Sequence, residues 1–200
     1  MNNLIKLAFL FLFLCTLFSC INKETNLENT MNKWEGRYLK FPKTINSTTL
    51  SMDSENMDLI KKKCKILVYA DSVGCMSCKL NLSGWKLLIE DVERLYPNQV
   101  GFVFFINSMD SITINLMLKY HEFNYPIIIS EENTIGNLNN ISKEIHLHFF
   151  LLNHNNKIFL VGDPVSDMNV KKMYIKTIED ILNETELNSD FSINNYSLKR

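Results

Sequence analysis

The sequence predicts an α/β protein with a central mixed sheet flanked by helices and a strand extension on its N-terminal side. Apolar, strand-like runs alternate with segments of helical spacing along the chain, and two strands joined by a tight turn come before the last helix. Alternation of this kind buries a sheet between layers of helices. The composition is 46% hydrophobic with 13 Phe, which suffices for the core of one domain in 200 residues.

The first twenty residues have the layout of a bacterial export signal. A short start that contains Lys6 is followed by the apolar stretch Leu7–Phe18, which is too short to span a bilayer comfortably. The stretch ends in Leu17-Phe18-Ser19-Cys20, which resembles a lipobox and implies that Cys20 is diacylated and becomes the first mature residue. The alternative is an uncleaved membrane anchor in which Cys20 has no role.

The polar segment at 21–33 has no periodicity and predicts a flexible tether. Trp34–Phe41 interleaves aromatic and polar residues, which predicts an accessory strand. A short helix follows over Met57–Lys63, capped by Asp53 or Ser54.

The main domain is expected over 34–190, with a loose polar tail at 191–200. Apolar runs rich in β-branched and aromatic residues predict its strands, at Cys64–Ala70, Val100–Ile106, Tyr125–Ser130, Ile145–Leu152 and Lys157–Val161. Helical spacing predicts its main helices, at Met76–Tyr96, Asp110–Phe123 and Met168–Leu182. A further short helix fits the Asn-rich stretch at 131–142.

Cys75 and Cys78 form a C-x-x-C pair between the first core strand and the first long helix. A thiolate at a helix N-terminus meets unpaired N–H groups and the positive end of the helix dipole, which lower its pKa. Two cysteines three residues apart can close a small ring reversibly, and Gly74 leaves the approach to Cys75 open. A bare C-x-x-C is a weak signal, but this position in an exported chain favours redox chemistry.

The run from Val68 to Lys79 resembles the thioredoxin-like superfamily, specifically the TlpA-type membrane-tethered or lipoprotein disulfide reductases of bacterial envelopes. Phe149–Asn153 followed by Lys157-Ile158 is similar to the family's closing strand and turn, and the resemblance covers about 57–182. It implies a thioredoxin-like fold, with Cys75 as the nucleophile and Cys78 as the resolving thiol.

Three positions depart from the family pattern. Gly74 replaces the Trp usual before the first cysteine, and Ser83 stands where many members have a proline. The family's cis-proline, which faces the disulfide, would fall at about Leu147. A cis peptide before a residue other than proline costs about 3 kcal/mol, so we expect Leu147 to be trans and the docking loop remodelled.

Three other side chains could have either a structural or a functional role. His146 and His148 share a face if they lie on a strand, so one of them could complete a copper or zinc site with the thiolates of Cys75 and Cys78. We favour an ordinary histidine pair on an edge. Cys64 is the odd mature cysteine, and we expect a buried thiol that acts as a small hydrophobe.

The sequence therefore predicts an envelope thiol–disulfide oxidoreductase, more reductive than oxidative, without a cofactor or a bound metal. It would face the periplasm or sit on the outer membrane, attached through Cys20, and exchange disulfides with protein substrates and an upstream redox partner. The formal net charge of −1 argues against nucleic acid as a partner. Two alternatives use the same frame, namely a copper or zinc module built on Cys75 and Cys78, and a non-catalytic adaptor.

Overall fold

A computed structural model describes residues 33–42, 54–71, 80–108, 110–130, 134–141 and 147–197. The predicted signal segment with Cys20, most of the tether, and the side chains of Cys75, Cys78 and His146 lie outside these ranges. The chain divides into two compact units, 1–35 and 36–200. Of the first unit only 33–35 is described, and 33–34 is helical.

The second unit is built on a five-stranded sheet. Its strands are β1 Cys64–Ala70, β2 Val100–Asn107, β3 Ile127–Ser130, β4 Leu147–Asn153 and β5 Ile158–Val161. They lie in the order β3-β2-β1-β4-β5. β1, β2 and β3 are parallel to one another, whereas β4 runs antiparallel to both β1 and β5. The sheet is therefore mixed, as predicted, with β1 at its centre.

Within the described residues, five helices accompany the sheet. They are α1 Ser54–Lys61, α2 Leu82–Leu95, α3 Ser111–Tyr120, α4 Thr134–Asn139 and α5 Met168–Ser197. Asp110 caps α3 as predicted, because its carboxylate accepts a hydrogen bond from the Thr113 amide at 2.9 Å. None of the helices among the described residues is both long enough and apolar enough to cross a membrane.

The main core lies between one face of the sheet and the helices α2, α3 and α5. Alternate residues of β1, such as Ile66 and Val68, join side chains of these helices in one buried cluster. Trp85 of α2 is fully buried there, with its ring centroid 5.4 Å from that of Phe104 and 5.6 Å from that of Phe149. This packing fixes α2 across β2 and β4.

On the opposite face α1 packs closely over β2. A Cβ atom at Gly101 would collide with the carbonyl oxygen of Leu59 in α1. The helix backbone can therefore approach the strand only because residue 101 has no side chain.

The predicted accessory strand at Trp34–Phe41 is only partly formed. Backbone bonds join Gly36 N to the Ile158 oxygen at 2.8 Å and Leu39 N to the Asn156 oxygen at 2.9 Å, beside the start of β5. The ladder is reduced to a single bridge between Tyr38 and Lys157. The extension thus adds to the β5 edge without becoming a sixth strand.

Several helix ends differ from the predictions. α1 spans Ser54–Lys61 and not Met57–Lys63, so Ser54, one of its two predicted caps, lies within the helix. α2 was expected from Met76 but begins at Leu82, because Asn81 adopts a left-handed conformation that interrupts the helix. α5 was expected to end at Leu182 but continues to Ser197. The segment 183–197 holds neither proline nor glycine, so nothing in it ends the ladder of backbone hydrogen bonds.

Candidate functional site

The cysteine segment joins the central strand to α2. β1 ends at Ala70, Asp71 is the last described residue before the segment, and the described chain resumes at Leu80. Asp71 is 7% exposed and Leu80 is 1% exposed, so both attachment points are buried. The segment that contains Cys75 and Cys78 in the sequence therefore leaves the carboxyl end of β1 at a buried residue and rejoins the described chain at another.

A buried polar row follows the carboxyl ends of β1, β2 and β3. Asn107 donates a hydrogen bond from its side-chain nitrogen to the Asp71 carboxylate at 3.0 Å, and it pairs in register with Ser130. The Ser108 amide donates to the Ser130 carbonyl at 3.0 Å. The sequence analysis did not predict this row. Its members are visible in the sequence, since each of the three apolar runs is followed by or ends in a polar residue.

The start of β4 lies beside the end of β1. Leu147 pairs in register with Ala70, immediately before Asp71 and the cysteine segment. The position expected for the family's cis-proline therefore belongs to a strand that begins next to the edge from which Cys75 departs. The peptide bond before Leu147 involves His146, which lies outside the described residues, so its trans form stays a prediction.

His148 is part of the sheet interior. It pairs with Tyr69 across β1 and β4, is 3% exposed, and stacks on Phe150 with ring centroids 5.7 Å apart. β4 lies between β1 and β5, so the prediction of a histidine pair on an edge is wrong for His148. Within the described ranges no group of three His, Cys, Asp or Glu side chains is placed to hold a metal ion.

The first turn of α2 is fixed by one capping residue. The Asn81 side-chain oxygen accepts a hydrogen bond from the Gly84 amide at 3.2 Å, and the Asn81 carbonyl accepts from the Trp85 amide at 3.1 Å. Cys78 lies three residues before this cap. Cys75 and Cys78 were predicted in the first turn of the long helix, but α2 itself begins after them, since Asn81 turns the backbone away from the helical path.

Cys64 and Lys65 occupy the opposite, amino end of β1. Cys64 is a free, fully buried thiol, as predicted, and burial raises its pKa to about 12. The Lys65 side chain is buried too, and burial lowers its pKa to about 8. Its ammonium group donates to the carbonyls of His154 at 3.2 Å and Lys62 at 3.4 Å. Since β1 rises about 3.3 Å per residue, this pair lies about 20 Å from the edge where the cysteine segment begins.

No family model matches the sequence, and no curated protein is significantly similar to it. Several solved structures are similar in fold. One is described as a thioredoxin-like protein in the oxidized form, with a TM-score of 0.51 and 14% identity over 72% of this chain and 97% of that chain. Another is a thiol:disulfide interchange protein from a Bacteroides species, with a TM-score of 0.51 and 11% identity over 71% of this chain and 90% of that chain. A candidate protein disulfide isomerase from Bacteroides thetaiotaomicron has a TM-score of 0.50 and 11% identity, covering 66% of this chain and 82% of that chain.

Each of these similarities covers most of the neighbour's length and about two thirds or more of this chain. The sequence identities are low, so the similarities show the fold alone. In this chain, the antiparallel pair β4–β5 and the closing helix α5 follow the order of elements predicted from the sequence. The chain has a thioredoxin-like fold.

Proposed function

We propose that this chain is a thiol–disulfide oxidoreductase of the bacterial envelope that exchanges a disulfide between Cys75 and Cys78 with protein substrates. Cys75 is the attacking thiol and Cys78 the resolving thiol. The domain is attached to the membrane through acylated Cys20, and it works mainly as a reductant supplied with electrons by an upstream redox partner. One neighbour that shares the fold is described as a thiol:disulfide interchange protein and another as a candidate protein disulfide isomerase, and thiol–disulfide exchange comes to this chain from them as part of the proposal.

One observation carries the proposal. The C-x-x-C pair lies in the segment that leaves the carboxyl end of the central strand β1 and leads into α2. Ligands and reacting groups of open α/β sheets gather outside the carboxyl ends of the parallel strands. Both attachment points of the segment are buried, and two cysteines three residues apart can close a small ring reversibly.

The exchange proceeds in two balanced steps. The Cys75 thiolate attacks one sulfur of the substrate disulfide, the substrate S–S bond breaks, and the departing sulfur takes up a proton. The Cys78 thiolate then attacks the Cys75 sulfur and releases the second substrate thiol. Two electrons and two protons have passed to the substrate, and the pair is left as a disulfide that the upstream partner reduces.

Reduction of a model protein disulfide tests the proposal. The full chain should be active, Cys75→Ser should abolish turnover, and Cys78→Ser should abolish turnover while trapping a mixed disulfide through Cys75. Cys64→Ser serves as the matched control, because Cys64 is fully buried at the other end of β1, and it should keep wild-type activity.

Two outcomes would sink the proposal. Inactive wild-type protein that carries stoichiometric copper or zinc after reduction would point to a metal module. Inactive, metal-free protein would leave a non-catalytic adaptor. The anchor is tested separately by labelling expressing cells with an acyl precursor, with Cys20→Ser expected to lose the label.

A further inference from the structure

The outer face of α3 carries large apolar side chains. Ile112 is 74% exposed and Leu116 is 63% exposed, and they lie four residues apart on the same side of the helix. Ile114 and Met117 of the same helix are buried in the main core, so α3 is apolar on both sides. A surface helix normally turns polar residues outward, and exposed apolar patches mark interaction sites. The outer face of α3 is therefore suited to contact something other than water.

A cavity of about 520 Å³ opens beside this face. Its volume lies within the range of about 300–1,000 Å³ that is typical of small-molecule sites. One wall consists of α3 side chains between Ile112 and Lys119, and the other of residues from Phe123 to Ile127, the first residue of β3. We call this cavity the α3 groove. Seven residues of helix span about 10 Å, which leaves room for an extended chain of several carbon atoms.

The wall opposite α3 is fixed by the aromatic core. The Tyr125 ring lies edge-on to the rings of Phe102 and Phe104, with centroid distances of 5.8 Å and 5.9 Å. The Phe123 amide donates a hydrogen bond to the Leu118 carbonyl at 2.9 Å, which ties this wall back to α3. The α3 groove is therefore preformed, and a ligand can bind without first ordering its walls.

The two ends of the α3 groove differ in polarity. Among the described residues that line it, Lys119 alone is charged. Within the described part of the chain, no carboxylate lies within ion-pair distance of its ammonium group. Lys119 is in the last turn of α3 and Asn124 lies in the connection that follows, whereas Ile112 is in the first turn. Asn115 adds one amide between the two ends. The groove thus has a cationic end and an apolar end.

We propose that the α3 groove binds a fatty-acid carboxylate, with the carboxylate at Lys119 and the alkyl chain running along Leu116 toward Ile112. This inference goes beyond thiol–disulfide exchange and uses no residue of the cysteine segment. The alkyl chain covers apolar surface that is otherwise in water, which supplies most of the affinity. The ammonium group selects an anionic head group, and its contribution is small because Lys119 is exposed.

Isothermal titration calorimetry of the full chain with decanoate, below its micellar concentration, tests the head group. We expect saturable binding of one decanoate per chain, tighter than the binding of decanol or decyltrimethylammonium, which carry the same alkyl chain on a neutral and a cationic head. Lys119→Gln should weaken decanoate binding about threefold and leave decanol binding unchanged. Lys172→Gln is the control, since Lys172 is exposed on α5 outside the groove, and it should change neither affinity.

Leu116→Gln tests the apolar part of the α3 groove. Because Leu116 is largely exposed, the variant should fold like wild type by circular dichroism, and it should bind decanoate about tenfold more weakly. Leu87→Gln is the matched control. Leu87 is also 63% exposed on a helix, but it lies on α2 and does not line the groove, so its affinity for decanoate should equal that of wild type.

The inference is overturned if wild type shows no saturable binding of decanoate, if decanol or decyltrimethylammonium binds as tightly, or if Leu87→Gln loses as much affinity as Leu116→Gln. A second copy of the chain is the other occupant that an exposed apolar helix could have. Sedimentation equilibrium that shows a dimer in wild type, unaffected by decanoate and lost in Leu116→Gln, would assign the surface to that copy and would also overturn the inference. Cys75→Ser should bind decanoate like wild type, so these results do not depend on the thiol chemistry.

Discussion

At the scale of single residues, Lys65 stands out as a buried cation on the central strand. Its ammonium group is held by two backbone carbonyls, from Lys62 and His154, and no carboxylate neutralises it among the contacts that the structure gives it. Carbonyl dipoles replace only part of the hydration that the charge loses on burial, and its pKa is correspondingly lowered to about 8. The charged form therefore opposes folding.

This residue predicts a pH dependence of stability. Because its pKa is about 8 in the folded chain and about 10.4 in an unfolded one, the cost of burying the charge is fully present below pH 8. The folded protein loses the proton first as pH rises, so the free energy of unfolding should increase between pH 8 and 10.4, by up to about 3 kcal/mol. Urea unfolding at several pH values measures it.

Lys65→Met is the control, since it keeps the length of the side chain and removes the proton. The rise between pH 8 and 10.4 should be much smaller in this variant than in wild type. Equal slopes in the two proteins would show that other groups, and not Lys65, set the pH dependence.

The polar row at the strand ends was only partly visible in the sequence. Asp71, Asn107 and Ser130 are each visible in the sequence as the polar residue that ends an apolar run. That they meet depends on the strand order and on a register that pairs Asn107 with Ser130. No spacing in the sequence encodes either, so the row could not be derived before the structure.

At the scale of elements, the contact between α1 and β2 depends on one missing side chain. A Cβ atom at Gly101 would collide with the Leu59 carbonyl oxygen, which belongs to the backbone and cannot rotate away. Gly101→Ala should therefore push α1 off the sheet and lower the free energy of unfolding by about 1–3 kcal/mol. Urea unfolding followed by circular dichroism measures this loss.

Gly36→Ala provides the comparison. Gly36 has φ 79° but nothing within 4 Å of an added Cβ atom, so this variant should show only the cost of a left-handed alanine, about 1 kcal/mol. If Gly101→Ala is no more destabilising than Gly36→Ala, the close approach of α1 is not needed for stability.

The sequence predicts elements well where one local signal decides them. β1 was predicted with its observed ends, because a continuous apolar run between polar neighbours defines a strand buried on both faces. The start of α2 was missed, because it depends on the backbone of Asn81 and on the fit of Gly84 against the distant Val165. Contacts between residues far apart in the sequence produce no periodic pattern from which they could be predicted.

At the scale of the whole molecule, the fold class and the mixed sheet were predicted, and the thioredoxin-like fold is confirmed. The alternation of strands and helices predicted the fold class and the mixed sheet. The residues around Cys75 predicted the thioredoxin-like fold. The roles of Cys75, Cys78 and Cys20 stay predictions, since all three lie outside the described residues.

The buried thiol of Cys64 offers a readout of the stability of the whole domain. Cys64 has no exposed surface, and its pKa of about 12 keeps it protonated at neutral pH. With Cys75 and Cys78 both changed to serine, alkylation of Cys64 at pH 8 should be at least about a thousandfold slower in the folded chain than in urea. Mass spectrometry of a labelling time course measures the ratio, and rapid labelling without urea would contradict the buried position.

The separation of Cys64 from the cysteine segment also limits which disulfides the mature chain can form. Three thiols that moved freely could pair in three ways, and two of those pairings would include Cys64. A disulfide requires Cα atoms within about 7 Å, whereas Cys64 lies about 20 Å along β1 from the edge where the segment of Cys75 and Cys78 departs. Once β1 has formed in the sheet, we therefore expect an oxidant to leave Cys64 reduced and to join Cys75 only to Cys78, the partner that the proposed exchange requires.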